Sequence, residues 1–285
     1  MLQVFTNREL QAALADTGSV KGSLALVPTM GNIHRGHLQL VKSARQQADR
    51  TAVSIFVNPT QFNQADDFQY YPRTLEADLE QLDAAGVDLV YTPDVDTLYP
   101  HALQRAHVEA AGAAEGLEGA HRPGHFRGVA TIVCKLFNLF QPTVALFGKK
   151  DYQQLAVIRA MVEELFMPLA IAAEETVRET DMVAMSSRNS RLTADQRQIA
   201  PNLYATLKSV ADRLASTSDY KLLEKSAVTA LSDAGFKVDY VTIRDRQLQP
   251  PDIEARQLVI LAAAQLGSVR LIDNLEVDNS MAASA

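Results

Sequence analysis

The sequence predicts an α/β protein with a Rossmann-like, doubly wound parallel sheet and a smaller C-terminal α+β domain. Up to about Glu175, short continuous apolar runs alternate with helical patterns, which is typical of a parallel sheet covered on both faces by helices. Beyond that point the order changes to helices followed by strands, which favours an antiparallel sheet. We therefore expect two domains, residues 1–176 and residues 177–285.

The elements of the first domain follow from periodicity. Continuous apolar runs predict the strands Ser23–Val27, Thr51–Val57, Val87–Tyr91, Thr143–Phe147 and Pro168–Ala173. Apolar residues at three- and four-residue spacing predict the helices Gly36–Ala48, Leu75–Ala85, Val129–Phe140 and Tyr152–Phe166. In the second domain the same patterns predict helices Ala194–Ala215 and Tyr220–Ala234, then strands Val238–Arg244, Gln257–Ala263 and Val269–Asp273. The small, polar tail after Asp278 is expected to fray.

Composition excludes several classes of protein. With 47% hydrophobic and 21% charged residues the chain is an ordinary globular one, and its net charge of −7 argues against a nucleic-acid surface. Its longest apolar run, Leu258–Ala264, is too short to span a membrane, and the first residues do not form a secretory signal. The single cysteine, Cys134, lies in an apolar helix, where we expect a core residue. We expect a cytoplasmic protein without nucleic-acid or membrane partners.

The segment after the first of these strands, Pro28–His37, is the first candidate site. Ligands of doubly wound sheets bind at the carboxyl ends of the strands, where this polar turn lies. His34 and His37 are three residues apart and would share one face of a helix that begins near them. Gly36 lets a ligand approach the backbone, and the free N–H groups of a helix start attract anions. A phosphate site is therefore favoured over two surface histidines.

Two further segments offer polar groups beside helices. The segment Phe56–Phe62 places Asn58 and Gln61 near a proline turn, which suits a small hydroxylated or carboxylated ligand, or a simple Asx turn. The segment Ala120–Gly128 holds two Arg and two His in an acidic protein, so it is either an anion site or a solvated basic loop.

The fourth candidate lies at a strand end that opens a helix, and the fifth lies close to the domain boundary. Lys150, at a strand end, could offset charge on a phosphate, whereas Asp151 could simply cap the next helix. The segment Met185–Asn189 offers two hydroxyls and a guanidinium. The signatures G-x-x-x-x-G-K-[ST] and G-x-G-x-x-G are both absent, so any nucleotide site must be of another kind.

Together these segments closely resemble the pantoate–β-alanine ligases, a family of the HxGH nucleotidyltransferase superfamily related to class I aminoacyl-tRNA synthetases. The likeness covers almost the whole chain. It rests on V-P-T-M-G-N-x-H-x-G-H at 27–37, F-V-N-P-x-Q-F at 56–62, Y-P-R-T-L at 71–75, L-E-G-x-x-R-P-G-H-F-R-G-V at 117–129, F-G-x-K-D-x-Q-Q at 147–154 and S-S-R-N at 186–189.

The resemblance implies a reaction in two halves. Pantoate carboxylate attacks the α-phosphorus of ATP to give pantoyl adenylate and pyrophosphate, and the amine of β-alanine then releases AMP and pantothenate. This chemistry needs positive charge on the phosphates, in-line alignment and exclusion of water. The resemblance also implies Mg²⁺ bound with ATP, a homodimer formed through the amino-terminal domain, and a C-terminal domain that covers the active site.

The resemblance assigns roles by matched position. His34, His37 and Lys150 would be catalytic, with the histidines on the ATP phosphates and the lysine at the α-phosphate. The ATP site would comprise Met30, His37, Gly148, Lys150, Asp151, Val177, Met185, Ser186, Ser187 and Arg188. Pantoate would be held by Asn58, Gln61 and Gln154, with Met30 in the same pocket. Asp78 is the best match for a carboxylate near the magnesium.

Four positions depart from the family pattern. Lys149 stands where many relatives have Glu and puts a second positive charge beside Lys150. Met182 and Val183 replace Gly and Leu of the usual D-G-L-A, which changes the loop before Ser186. Ala77 stands where relatives often carry an acid.

Three other functions remain as alternatives. A nucleotidyltransferase that forms a dinucleotide or a CDP product would share only the HxGH motif. A metallohydrolase would use the histidines as zinc ligands, namely His34, His37, His121 and His125. A non-catalytic nucleotide-binding protein would bind ATP and release no pyrophosphate.

Overall fold

The computed structural model describes residues 1–15, 22–100, 106–252 and 255–278. It confirms the predicted fold class, with a six-stranded parallel sheet followed by a three-stranded antiparallel sheet. Contacts divide the chain into two units, the first comprising residues 1–149 and 154–175 and the second residues 150–153 and 176–285. The predicted fraying of the tail after Asp278 falls outside the described residues.

The first sheet has the strand order β1-β4-β3-β2-β5-β6, with all pairs parallel. Its strands are β1 Leu2–Val4, β2 Leu24–Thr29, β3 Arg50–Ile55, β4 Leu89–Tyr91, β5 Val144–Gly148 and β6 Ala170–Glu174. All five predicted strands are present. The additional strand β1 has only three residues, too few to show a pattern.

Nine helices accompany this sheet within the described residues. They are α1 Asn7–Ala15, α2 Arg35–Gln47, α3 Ala65–Gln69, α4 Leu75–Ala84, α5 Val95–Leu98, α6 Ala111–Ala114, α7 Leu117–His121, α8 His125–Phe140 and α9 Tyr152–Glu164. The start of α1 was not predicted, although Thr6 and Glu9 form the T-x-x-E signature of a capping box. The Thr6 hydroxyl accepts from the Glu9 amide at 3.2 Å, and the Glu9 carboxylate accepts from the Thr6 amide at 3.0 Å.

Strand β2 shows why both faces of this sheet must be covered. Leu24 and Leu26 point into one apolar cluster, which contains residues of α1, α8 and α9. Ala25 and Val27 point into the opposite cluster, which contains residues of α2 and α4. Because alternate side chains on both faces are apolar, ligands have access only at the ends of the strands.

The strand order reverses beside β2. From β2 the chain proceeds to β3 and β4 on one side, whereas β5 and β6 lie on the other. In open α/β sheets the crevice at such a switch point, outside the carboxyl ends of the strands, is where ligands bind. The segment that follows β2, which contains the His34–His37 pair, and Gly148 at the end of β5 therefore lie toward the edge where a site is expected.

The second unit contains three helices and three strands within the described residues. They are α10 Ala194–Ile199, α11 Asn202–Leu214, α12 Tyr220–Asp233, β7 Lys237–Asp245, β8 Gln257–Leu266 and β9 Val269–Asp278. The prediction of one helix over Ala194–Ala215 is wrong, because the helix is interrupted at Pro201. Proline has no N–H to donate to the preceding turn, so a new helix starts after it.

The core of the second unit is built on β8. Alternate residues of this strand, beginning at Leu258 and Ile260, pack with α11 and α12. The other face places Val259 and Leu261 against Tyr152. Tyr152 also donates a hydrogen bond of 3.0 Å to Glu276, which explains why residues 150–153 group with this unit.

No helix in the described part of the chain is long and apolar enough to cross a membrane.

Candidate active site

The loop after β2 has a backbone that few residues can adopt. Gly31 has φ +83° and Asn32 has φ +51°, both in the left-handed region. A Cβ at residue 31 would lie 3.0 Å from Asp78 Oδ2 and 3.1 Å from Ile55 Cγ2, so a side chain there would be tightly packed as well as strained in φ. Thr29 Oγ1 accepts from the Gly31 amide at 3.2 Å and donates to the Ser54 carbonyl at 2.8 Å. The turn is thereby tied to β3.

His34 and His37 lie together at the start of α2, as their spacing predicts. Their rings stack with centroids 4.0 Å apart. His34 Nδ1 accepts from the Gly36 amide at 3.1 Å, and His37 Nδ1 accepts from the His34 amide at 3.4 Å. Both Nδ1 atoms are therefore acceptors, so each neutral ring carries its proton on Nε2. The pair offers two Nε2 donors at a helix N-terminus, which suits an anion.

Asp78 anchors this loop from α4. Its side chain is buried, and its oxygens accept from the amides of Asn32 at 2.8 Å and Ile33 at 2.7 Å. The Thr74 hydroxyl adds a third hydrogen bond at 3.0 Å. Hydrogen bonds to a charged group are stronger than neutral ones, so one carboxylate fixes the backbone that leads into His34.

The geometry of Asp78 fits a loop anchor better than the predicted metal-adjacent carboxylate. Both of its oxygens already accept protein hydrogen bonds, and the side chain is 1% exposed. Magnesium prefers carboxylates that it can reach with most of its water shell in place. The described residues form no group of three or more His, Cys, Asp or Glu suited to a metal ion. The four-histidine zinc site is thus not assembled in this part of the chain.

Asn58, Gln61 and Met30 come together at the ends of β2 and β3. Asn58 is buried and caps the short 3₁₀ turn Pro59–Gln61, so the predicted Asx-type turn is present. Its Nδ2 donates to Gln61 Oε1 at 2.9 Å, and Gln61 Nε2 lies 3.0 Å from Met30 Sδ. The structure therefore collects three of the residues predicted around pantoate, and the Asx turn is part of that cluster rather than an alternative to it.

The segment 120–128 supports this turn from α8. Gln61 O lies 2.8 Å from His125 Nδ1, and Arg122 lies 3.1 Å from His125 Nε2. Because a guanidinium only donates and a carbonyl only accepts, His125 is neutral with its proton on Nδ1. Arg122 also pairs with Glu118 at 3.7 Å. Arg122 and His125 thus contact protein groups near the Gln61 turn, whereas His121 and Arg127 of the same segment are exposed.

Gly128 allows α8 to approach the turn closely. A Cβ on this residue would lie 2.4 Å from the Thr60 carbonyl oxygen and 2.8 Å from Gln61 Cα. The Gly128 carbonyl accepts from Asn58 Nδ2 at 3.2 Å. Only glycine permits this contact without moving the turn that carries Gln61.

At the end of β5, Lys149 forms an ion pair with Glu175. Gly148 closes the strand with open space where a Cβ would lie, and Gln154 lies within the first turn of α9. Because Lys149 has its own carboxylate partner, the second positive charge that departs from the family pattern is compensated inside the first unit.

In the second unit, Lys150 and Asp151 are adjacent, with Lys150 Nζ 3.8 Å from Asp151 Oδ1. The Lys150 carbonyl accepts from Asn274 Nδ2 at 2.9 Å, which fixes the backbone at this lysine to β9. Asp151 lies in the 3₁₀ turn Lys149–Asp151 that precedes α9. Sequence reasoning did not identify Asn274, which no local motif marks.

Val177 and Met185 face each other across a short hairpin, with the Met185 amide donating to the Val177 carbonyl at 2.9 Å. Arg178 fixes this hairpin, because it binds both oxygens of buried Asp273, at 2.7 and 2.9 Å, and stacks on Tyr204. Arg197 binds Asp181 in the hairpin tip and lowers the pKa of that carboxyl by its hydrogen bonds. The loop before Ser186 is therefore held by ion pairs despite its departure from the family sequence.

Met182 occupies the position in this tip where the family has glycine. Its φ is +73°, in the left-handed region, and its side chain is exposed. A non-glycine residue costs about 1 kcal/mol or more in this conformation. The departure thus leaves the turn in the shape that glycine would favour, with some strain.

Ser186, Ser187 and Arg188 form a turn after the hairpin. Ser186 Oγ accepts from the Arg188 amide at 3.2 Å, and its carbonyl accepts from Asn189 at 3.0 Å. Asn189 Nδ2 donates hydrogen bonds to the Glu179 carboxylate and to the Ala184 carbonyl, which join this turn to the hairpin. Hydroxyls and a guanidinium are thus collected on one short segment, as the sequence predicts.

Cys134 lies in α8 and packs against the main apolar cluster of the first unit. Burial raises the pKa of its thiol. A protonated, partly buried thiol is a poor nucleophile, which agrees with the prediction of a packing residue.

A family profile described as Pantoate-beta-alanine ligase matches residues 3–276 of the chain. A curated relative from Ectopseudomonas mendocina (strain ymp), named Pantothenate synthetase, is 51% identical over 281 residues, which cover 98% of this chain and 99% of that protein. Another of the same name, from Idiomarina loihiensis, is 52% identical over 264 residues, covering 92% and 94%.

Solved structures agree with these relatives. The pantothenate synthetase of Thermus thermophilus superimposes with a TM-score of 0.91 at 41% identity, covering 98% of this chain and 100% of that one. The pantoate-beta-alanine ligase of Francisella tularensis, complexed with beta-gamma ATP and beta-alanine, gives a TM-score of 0.82 at 32% identity, covering 96% and 97%.

We predict that Asp78→Asn lowers the free energy of unfolding by about 2 kcal/mol. The amide can accept with one atom only, so its NH₂ would face a backbone N–H. Urea unfolding followed by circular dichroism measures the loss, and the exposed Glu80→Gln on the same helix is the control. A loss no larger than that of the control would contradict the anchoring role.

We predict that Gly128→Ala is destabilising by about 2–3 kcal/mol, because the new methyl group overlaps the Thr60 carbonyl. Gly112→Ala in α6 is the matched control, since nothing lies within 4 Å of its Cβ position. Thermal unfolding compares the two. Equal melting temperatures would show that α8 does not constrain the turn at Gln61.

We predict that Met182→Gly raises the free energy of unfolding by about 0.5 kcal/mol, since relief of the left-handed strain exceeds the entropic cost of glycine. Thr180→Gly in the same tip, where φ is not positive, should instead be destabilising. Chemical denaturation of both variants checks the sign. A loss of stability in both variants would contradict the conclusion that Met182 is strained.

Proposed function

The chain belongs to the pantoate–β-alanine ligase family, and from this premise we propose that it makes pantothenate through an acyl adenylate. A carboxylate oxygen of pantoate attacks the α-phosphorus of ATP and pyrophosphate leaves. The β-alanine nitrogen then attacks the acyl carbon, AMP leaves with the bonding pair, and the nitrogen loses a proton. The Francisella relative, solved with an ATP compound and beta-alanine, supports these substrates.

The observation that carries this proposal is the histidine pair at the start of α2. Two imidazoles with Nδ1 bound to backbone amides present Nε2–H donors at a helix N-terminus, at the switch point of the sheet. Such preorganised donors suit phosphate oxygens and need no rearrangement as charge develops. We assign His34 and His37 to the ATP phosphates.

Lys150 is the proposed cation at the α-phosphate. Asn274 fixes its backbone, so the Lys150 side chain extends from a defined position beside Asp151. Asp151 and Gly148 are the proposed partners of the ribose. The remaining ATP contacts are assigned to one segment of the second unit, comprising Val177, Met185, Ser186, Ser187 and Arg188. The ion pairs of Arg178 and Arg197 support this assignment, because they hold that segment in one conformation.

Pantoate is assigned to Gln61 and Gln154, with Asn58 and Met30 beside Gln61. The buried Asn58 amide orients Gln61, and the Met30 side chain adds an apolar wall suited to the methyl groups of pantoate. Water must be kept from the adenylate, which would otherwise hydrolyse.

Magnesium is proposed to enter with ATP as the metal complex of the triphosphate, where it offsets phosphate charge. Asp78 is proposed to serve this site by holding the loop before His34. We further propose, on the family relationship, a cytoplasmic homodimer formed through the amino-terminal domain, which sedimentation velocity would test.

Pantoate-dependent exchange of pyrophosphate into ATP, with Mg²⁺ and without β-alanine, tests the first half-reaction. We expect exchange, followed by release of AMP and pantothenate when β-alanine is added. Binding of ATP without exchange would favour the non-catalytic alternative. Transfer of AMP or CMP to a phosphorylated acceptor in place of pantoate would favour the nucleotidyltransferase alternative.

We predict that Lys150→Ala slows pantoate-dependent exchange by about 10²–10³-fold while leaving the fold intact, as expected for loss of one preorganised charge at the transition state. Lys149→Ala is the matched control, because the neighbouring lysine pairs with Glu175. Exchange rates and circular dichroism are measured on both. Equal exchange rates in the two variants would contradict a catalytic role for Lys150.

A further inference from the structure

A buried chain of hydrogen bonds runs from Tyr99 through Asn58 to Gln61. The Tyr99 hydroxyl donates to Asn58 Oδ1 at 2.9 Å, and Asn58 Nδ2 donates to Gln61 Oε1 at 2.9 Å. The three residues are 3%, 1% and 9% exposed. Tyr99 follows α5, far in sequence from the turn that carries the other two, so only the fold brings the chain together.

Two neighbours determine the orientation of the Asn58 amide, because one can only accept a hydrogen bond and the other can only donate one. The Gly128 carbonyl can only accept and lies 3.2 Å from Nδ2, whereas the Thr60 amide can only donate and lies 3.4 Å from Oδ1. Tyr99 and the Thr60 hydroxyl, both at 2.9 Å, supply the further donors on the oxygen. Asn58 therefore presents its NH₂ to Gln61.

The orientation of Gln61 follows from that of Asn58. Its Oε1 accepts from Asn58, so its NH₂ points away from Asn58, toward Met30 Sδ at 3.0 Å. Thioether sulfur is a weak acceptor, so the Gln61 NH₂ would form a stronger hydrogen bond with a ligand oxygen. The residue assigned to pantoate is thereby set to donate, and it recognises a hydroxyl or carboxylate oxygen.

Tyr99 is itself held in place by Lys135. The Lys135 ammonium lies 3.8 Å from the centroid of the Tyr99 ring and donates to the Leu98 carbonyl at 2.6 Å. A tyrosine hydroxyl is protonated at neutral pH, and burial raises the pKa of Tyr99 further. The donor to Asn58 is thus fixed in both position and protonation.

We propose that Tyr99 is a positioning residue for pantoate, which acts through Asn58 to hold Gln61 in the orientation of a hydrogen-bond donor. The inference rests on the proposed function, because it takes pantoate as the ligand of Gln61. Without the tyrosine hydroxyl, Asn58 Oδ1 keeps only the Thr60 donors, and the buried amide pair loses part of the constraint that defines its orientation.

The test compares Tyr99→Phe with the wild-type chain in pantoate-dependent ATP–pyrophosphate exchange. We expect the KM for pantoate to rise about tenfold, with the KM for ATP unchanged, since one buried acceptor loses a donor next to the pantoate-binding amide. In a Gln61→Ala background the same substitution should change the KM for pantoate no further, because the two residues act as one unit.

Tyr91→Phe provides the matched control. Tyr91 is fully buried in the same unit, and its hydroxyl donates to Asn7 Oδ1 at 2.5 Å, so the control also breaks a buried Tyr–Asn hydrogen bond. We expect it to lower the free energy of unfolding without changing the KM for pantoate. A similar rise of the pantoate KM in both variants would overturn the proposal, because it would report general loss of stability.

A second pair of variants decides the matter if Tyr99→Phe does not fold. Thr60→Ala removes the other hydroxyl donor to Asn58 Oδ1, and Thr60→Ser keeps it. We expect a higher KM for pantoate in the alanine variant and recovery in the serine variant, and equal values in the two would overturn the proposal. Absence of exchange in the wild-type chain overturns the proposed function and this inference together. Normal wild-type exchange with an unchanged pantoate KM in Tyr99→Phe overturns this inference alone.

Discussion

The parallel pairing of β2 between β3 and β5 is the constraint on which the first unit depends. Both faces of the sheet are covered with apolar side chains, so polar chemistry is confined to the loops at the strand ends. Those loops carry the histidine pair and the Asn58–Gln61 turn, and Gly148 is the last residue of β5. The position of the candidate site is therefore a consequence of how the sheet buries its strands.

Hydrogen bonds of defined polarity then set the chemistry of each group. Asp78 can only accept, so it fixes two backbone amides and the loop that leads to His34. Backbone amides at the start of α2 make both Nδ1 atoms acceptors, which leaves Nε2 as the donor. The Gly128 carbonyl and the Thr60 amide do the same for the Asn58–Gln61 pair, and the Tyr99 hydroxyl adds a further hydrogen bond to Asn58. Hydrogen-bond partners of fixed polarity thus determine which atoms of the histidines, Asn58 and Gln61 donate and which accept.

Charge has a similar role in the second unit. The hairpin that carries Val177 and Met185 is fixed by Arg178 on Asp273 and by Arg197 on Asp181. Asp273 is buried, and breaking its pair with Arg178 would leave an uncompensated buried charge, so this pair favours one conformation of the hairpin. The same contacts explain how Met182 is tolerated with a positive φ where the family has glycine.

The sequence by itself determined the fold class, the predicted strands and the family, because apolar periodicity and short motifs are local in the chain. It also located the His34–His37 pair and the Asn58–Gln61 turn, since each lies within one short segment. It missed the break at Pro201, which lies within a continuous apolar pattern. Only the tertiary structure decided the partners of Asp78, the support of Lys150 by Asn274 and the link from Tyr99 to Gln61. These contacts join residues far apart in sequence, and which donor meets which acceptor is set by packing, which no local pattern encodes.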